Sequence, residues 1–162
     1  MSDESSPVRE VATVEELINN VGVKLLAVHP FKLTGERADD FDGNVPEQFD
    51  VDHEESVRFA IAPDRLAVRL ITKLSISDVG SVEIDYAAEY EVLEPVDLSL
   101  EAFQGFVNRV AAMAIWPFTR QAAQDLFLRI AQVAAPLPIA VPTDFDFGPP
   151  RDDVEAEQAD DA

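Results

Sequence analysis

Ile115-Trp116-Pro117-Phe118-Thr119-Arg120 stands between two helix-like tracts, behind a block of strand-like sequence. Its order is aromatic, proline, aromatic, spacer, arginine. Upstream, Ser99 has the side chain of an N-cap, and Phe103, Phe106, Val107, Val110 and Met113 follow at helical spacing. Gly105 and Ala111-Ala112-Met113-Ala114 add a small-residue surface that permits close packing. Downstream, Ala122, Leu126, Ile130 and Val133 form one stripe with Phe127 beside it. Pro117 suits the first turn of the second helix, where its missing N–H costs nothing. Pro136 and Pro138 should stop that helix. The stretch thus predicts a helix–helix junction at residues 115–117, with Arg120 pinning the second helix start.

The sequence before this junction alternates in strand fashion. Thr13 caps a short helix beginning at Val14. From Val21 to Leu33 the residues Val21, Val23, Leu25, Ala27, His29, Phe31 and Leu33 fall on one face, and Pro30 marks an edge or a bulge. Residues 35–55 read as an acidic loop that either moves or covers an edge strand, with Val51 as a start for the next strand. Val57, Phe59 and Ile61 continue that strand, and Pro63-Asp64 turns it. Leu66, Val68, Leu70, Thr72, Leu74 and Ile76 give the clearest alternation in the chain. After the turn Ser77-Asp78-Val79-Gly80 comes a strand with Val82, Ile84, Tyr86, Ala88, Tyr90 and Val92 on one face. Its other face carries Glu83, Asp85, Glu89 and Glu91. The turns are short, so the sheet should be antiparallel with one solvated side. That side explains the acidic row most simply; a docking surface for a basic partner is the other reading.

Composition bounds the function. The chain has 162 residues, of which 47% are hydrophobic, enough for one domain with its own core. A formal charge of −20 repels nucleic-acid phosphates and anionic membranes and favours partners with basic segments. The same charge also fits plain solubility or a salty cytoplasm. There is no cysteine, which excludes disulfides, thiolate catalysis and cysteine metal sites. The start, Met1-Ser-Asp-Glu-Ser-Ser, is the opposite of a signal peptide, and no apolar run nears the roughly 20 residues of a membrane helix. The expected location is the cytoplasm.

Catalytic patterns are missing. The two histidines, His29 and His53, join no Ser-His-Asp order and no zinc spacing, and no Gly-rich phosphate loop is present. Asp50-Val-Asp-His-Glu-Glu contains metal-ligating types, but a metal-free acidic loop with a raised histidine pKa is the simpler reading. Among so many acids a close carboxylate pair carries little information. No enzyme, cofactor or metal is expected.

The order of elements, a strand, a long loop, three strands with short turns, then two helices, resembles the SecB family of export and SecB-like chaperones. Ile115-Trp116-Pro117-Phe118-Thr119-Arg120 is similar to the family's opening of its last long helix, and Pro136-Leu137-Pro138-Ile139 to its exit. Val141-Pro142-Thr143-Asp144-Phe145-Asp146 resembles the closing segment, with Asp144 where Asn is usual. Ile84-Asp85-Tyr86-Ala87-Ala88-Glu89-Tyr90 resembles the strand preceding the helices. The likeness spans residues 21–147.

This resemblance implies an α+β fold with a four-stranded antiparallel sheet and two C-terminal helices, assembled as a dimer of dimers with helices between the sheets. It implies an ATP-independent, cofactor-free holdase whose apolar grooves take unfolded polypeptides or preproteins. Groove candidates are Ile84, Tyr86, Trp116, Phe118, Phe127, Phe145 and Phe147, with ordinary core the simpler reading for Ile84 and Phe127. Export members also dock the motor SecA through acids on the exposed sheet face; Asp85 matches best, with Glu83 as neighbour. The first strand departs from that pattern, because His29-Pro30-Phe31-Lys32-Leu33 puts Lys32 where acids are usual. Other members protect one client, such as an antitoxin. The rival reading is an adaptor that binds one folded basic partner through the acidic sheet face. The expected organisation is a disordered acidic lead over 1–12, the domain over 13–147 and a disordered acidic tail over 148–162.

Overall fold

The computed structural model describes residues 8–134 and 146–147. The first seven residues, the Pro136-Leu137-Pro138 stop, Phe145 and the tail 148–162 lie outside the described residues. Four long strands make one antiparallel sheet: β2 (Val23–Arg37), β3 (Val51–Ala62), β4 (Arg65–Ile76) and β5 (Gly80–Val92), in the order β2-β5-β4-β3. Two C-terminal helices, α2 (Leu100–Phe106) and α3 (Ala112–Ala131), cover one face, so the fold is α+β. No described helix is long and apolar enough to cross a membrane.

Alternation explains the central strands. Leu66, Val68, Leu70, Leu74 and Ile76 of β4 and Val82, Ile84, Ala88, Tyr90 and Val92 of β5 are all buried on the helix side. A two-residue turn pairs Ala62 with Arg65, and a three-residue turn pairs Ile76 with Gly80. In the second turn Asp78 takes a φ of 61°. A side chain at Gly80 would meet the Glu36 carbonyl at 2.4 Å, so this position needs glycine to let β2 approach.

The first long strand differs from a plain alternation. It runs further, to Arg37, and breaks register between Leu25 and Ala27 and again between Pro30 and Lys32. Each bulge adds a residue and switches the faces. Leu25 and Leu33 keep to the helix side, opposite Tyr90 and Ile84. Phe31 instead stacks with His29 on the outer side, their rings 5.2 Å apart. The single apolar face predicted for residues 21–33 is therefore split.

The long loop is shorter than predicted and takes part in the core. Between β2 and β3 the chain crosses from one sheet edge to the other, and Phe41 is buried with Val45, Phe49 and Val51 packed around it. Arg37 holds this crossing: its guanidinium donates to the Phe41 carbonyl at 3.1 Å and lies over the Phe41 ring. Near the start of the chain, β1 (Arg9–Val11) pairs in parallel with β6 (Val96–Leu98), inside the stretch 1–12 that the sequence reading expects to be a lead. Thr13 caps α1 (Val14–Glu16), which continues as a π-turn, Leu17–Val21.

Ser99 caps α2 as its sequence suggests, accepting from the Ala102 N–H at 3.0 Å and donating to the Ala12 carbonyl. The junction to α3 is displaced from its expected place. It is a π-turn, Val107–Ala111, with helical backbone on both sides. Pro117 lies inside α3, where it leaves the Met113 carbonyl without its helical donor. The helix ends at Ala131, before either proline, because Gln132 turns left-handed at φ 56°. The Gln132 and Val133 N–H groups then bond the Leu128 and Phe127 carbonyls, closing an αL-type cap.

Candidate functional site

The helices divide the core into two clusters. One gathers Phe103, Phe106, Ile115 and Trp116 over Leu66, Val68, Leu70 and Tyr90. The other gathers Phe127, Ala122 and Ala123 over Leu74, Ile76, Val82 and Ile84. Tyr86 packs against both, at their seam. Its ring lies 5.8 Å from that of Phe118, which stands on the exposed flank of α3. Burial alone pushes the Tyr90 hydroxyl up to about 12, so it stays protonated at neutral pH.

Alongside Tyr86 runs β2, hydrogen-bonded only to β5 within the described residues. Its outer edge therefore presents backbone N–H and C=O groups along a fifteen-residue strand. The strand also exposes Leu25, Leu26, Phe31 and Leu33, by 46%, 42%, 55% and 41%. Pro30 lies opposite Tyr86, so β2, Tyr86 and Phe118 border one apolar strip on the helix side. Lys24, Lys32, Pro30 and the two bulges are the devices that keep such an edge from aggregating.

The predicted groove residues fall into distinct environments. Ile84 and Phe127 are fully buried, and Trp116 is 8% exposed. Tyr86 is half-buried and Phe118 is 43% exposed. Phe147 is half-buried against the first core cluster, its N–H reaching the Asn108 side-chain oxygen at 3.4 Å. Arg120 is half-buried on α3, eight residues beyond Ala112, the start of the helix it was expected to pin. Of the exposed apolar residues of β2, only Phe31 is moved off the predicted buried face by the bulges; Leu25 and Leu33 stay on the helix side but remain exposed at this sheet edge.

On the outer face, three of the acids already face a basic side chain. Asp85 is 3% exposed and takes two N–H groups from the Arg69 guanidinium, which lies under the Phe31 ring at 4.1 Å. Glu83 accepts from Lys32 at 3.2 Å, and Glu89 lies 3.6 Å from His29. The predicted docking acids are thus one buried ion pair and one half-exposed one. The cluster 50–55 is also divided. Strand alternation sends Asp52 and Glu54 to the outer face and His53 and Glu55 to the helix face, so they do not converge on one point.

No family model and no curated protein matches the sequence. Among solved structures, the chain is similar to the SecB-like chaperone Rv1957 of Mycobacterium tuberculosis, solved with a ChAD peptide from the antitoxin Rv1956 HigA1. The TM-score is 0.65 at 16% identity, over 78% of this chain and 96% of that one. A protein of unknown function from Streptococcus agalactiae aligns with a TM-score of 0.41 at 5% identity, over 74% of this chain and 98% of the other. The first likeness, together with the sheet order and the two C-terminal helices, establishes a SecB-like fold for this chain.

Proposed function

We propose that this protein is an ATP-independent chaperone that holds non-native polypeptide in an extended form. The observation that carries the reading is β2, a long edge strand that offers open backbone groups and four exposed large apolar side chains. Backbone pairing accepts any extended chain, and large apolar groups add sequence-tolerant contact. A charge of −20 keeps a molecule with such a surface from associating with its own copies at random. Phe118 and Tyr86 extend the contact surface on the helix side. The role needs no cofactor and no reaction.

The Rv1957 neighbour was solved with an antitoxin peptide, which supports a polypeptide ligand and a dedicated client such as an antitoxin. Export of preproteins is the broader version. The SecA-docking acids Glu83 and Asp85 already bond Lys32 and Arg69, which weighs against that branch and against the acidic-face adaptor. A homotetramer in the cytoplasm belongs to the same reading, with the client on whatever part of β2 the assembly leaves open.

The test is aggregation of a slow-folding client diluted from denaturant, without ATP, at low and high salt. Suppression at near-stoichiometric amounts that persists in salt, and that is lost when Leu25 and Leu33 are both changed to Lys, is the expected result. No suppression by the unmodified protein at any ratio overturns the proposal.

A further inference from the structure

Asn108 lies in the π-turn between α2 and α3, in the middle of the long helical run. Asparagine there costs the helix about half a kcal/mol relative to alanine, and it packs no apolar group. Its side-chain oxygen instead accepts the main-chain N–H of Phe147, thirty-nine residues later. The half-buried Phe147 ring rests on the cluster built by Phe103, Phe106 and Trp116. One main-chain bond plus one apolar seat for the adjoining side chain is how a protein grips an extended segment. π-turns inside helices recur at functional sites because they free a side chain from the regular pattern.

The Asn108 contact itself is a long one. The N–H to oxygen distance is 3.4 Å, at the long end of hydrogen bonds, and the ring keeps part of its surface in water. A ligand of the same chemistry competes for the Asn108 oxygen and for the apolar seat beside it.

We infer that Asn108 and the apolar surface beside it form a subsite for an aromatic residue of an extended polypeptide, which Phe147 of this chain fills until a client displaces it. The inference rests on the chaperone reading for its client and on the Asn108–Phe147 contact for its site. The ligand must carry a main-chain N–H at the aromatic position. Phe147 then acts as a tethered competitor, so the apparent affinity for client is reduced by the fraction of time the site is open.

The experiment uses the full chain and two labelled peptides followed by anisotropy. One has this chain's own Val141–Gly148 sequence; the other is an unrelated unstructured peptide with a single Phe. Phe147→Ala should bind both roughly tenfold more tightly than the unmodified protein, the release of a site occupied about nine-tenths of the time. Adding Asn108→Ala should remove that gain, and adding Asn108→Asp, which keeps an acceptor, should preserve it. Unchanged or weaker binding of the own-sequence peptide by Phe147→Ala overturns the subsite and makes Phe147 ordinary packing. If the own-sequence peptide gains affinity but no unrelated peptide binds any variant, the subsite stands and the chaperone reading falls.

Discussion

Arg69 on β4 and Asp85 on β5 form a two-bond ion pair on the outer sheet face, with the Phe31 ring lying over the guanidinium. Asp85 is almost fully removed from water, whereas the Arg69 side chain keeps 31% of its exposure. The pair is diagonal, since Arg69 lies opposite Ala87 and Asp85 opposite Ile71. Deleting the cation strands a desolvated carboxylate. Arg69→Ala should cost about 2–3 kcal/mol, at or just below the lower end of the range of about 3–5 kcal/mol for broken buried pairs, because one partner is solvated. Asp85→Asn should cost less, since the remaining guanidinium reaches water. Urea unfolding of both variants and of the double variant measures the coupling; a coupling near zero would show that the pair is incidental.

Trp116 and Phe118 are two residues apart but should behave oppositely. Trp116, the sole tryptophan, is 8% exposed in the core, and Phe118 is 43% exposed beside Tyr86. Trp116→Ala should cost about 3–5 kcal/mol, as for other large buried aromatics. Phe118→Ala should cost less than about 1 kcal/mol, because much of its surface is already wet. Client suppression should fall with Phe118→Ala at full folding. Far-UV circular dichroism follows unfolding in both variants, because Trp116→Ala removes the sole tryptophan; in Phe118→Ala the blue Trp116 emission lost on unfolding is a second readout. Equal stability losses in the two variants would contradict the placement of these side chains.

The sheet was legible because β4 and β5 bury their large apolar side chains on one face only, so alternation reads directly as Leu66 to Ile76 and Val82 to Val92. The helices were legible from Ser99 and the apolar stripe. Strand β2 was not, because each bulge inverts the parity that the reading relies on, and nothing in Leu25-Leu26-Ala27 or Pro30-Phe31-Lys32 fixes where the extra residue sits. The Arg69–Asp85 pair was hidden for a related reason: diagonal neighbours appear only once register is known. Pro117 misled in the other direction. It is tolerated inside α3, and the junction falls at Val107–Ala111, where no proline or glycine announces it. Phe41 in the acidic loop carried a usable signal, since a large aromatic among carboxylates seeks a core.

Gln132 offers a simple gain. It ends α3 with φ 56°, a region costing an ordinary side chain about 1 kcal/mol and glycine almost nothing. Its backbone N–H makes the cap, and its side chain is exposed. Gln132→Gly should therefore raise stability by roughly 0.5–1 kcal/mol, less the extra entropy of glycine in the unfolded chain. Thermal unfolding checks it. A loss of stability would mean that the helix does not end in this left-handed turn.

Glu55 should make the fold respond to pH. Alternation in β3 turns its carboxyl toward the helix side, with His53 and Val57 in the same row and Thr72 opposite. Thr72 is fully buried, and its hydroxyl makes no hydrogen bond among the described residues. Burial raises the Glu55 pKa above the usual carboxylate value, and the charge of His53 partly offsets this. The folded state thus holds the proton more tightly than the unfolded chain, whose glutamate titrates near about 4.3. The stabilising contribution is complete below that unfolded value and is lost as pH rises through the raised folded one. Replacing Glu55 by Gln fixes the neutral form at every pH. Glu55→Gln should therefore stabilise the protein at about pH 7, and the advantage should shrink toward about pH 5 as the native carboxyl becomes protonated. Removing any acid also lowers the overall −20 charge, so Glu54→Gln, on the exposed outer face, serves as the control. Denaturant unfolding at the two pH values separates the effects: the general charge term appears in both variants, the burial term in Glu55→Gln alone. Equal behaviour of the two variants, or a gain that grows on acidification, would show that Glu55 is solvated and does not face the helix side of the sheet.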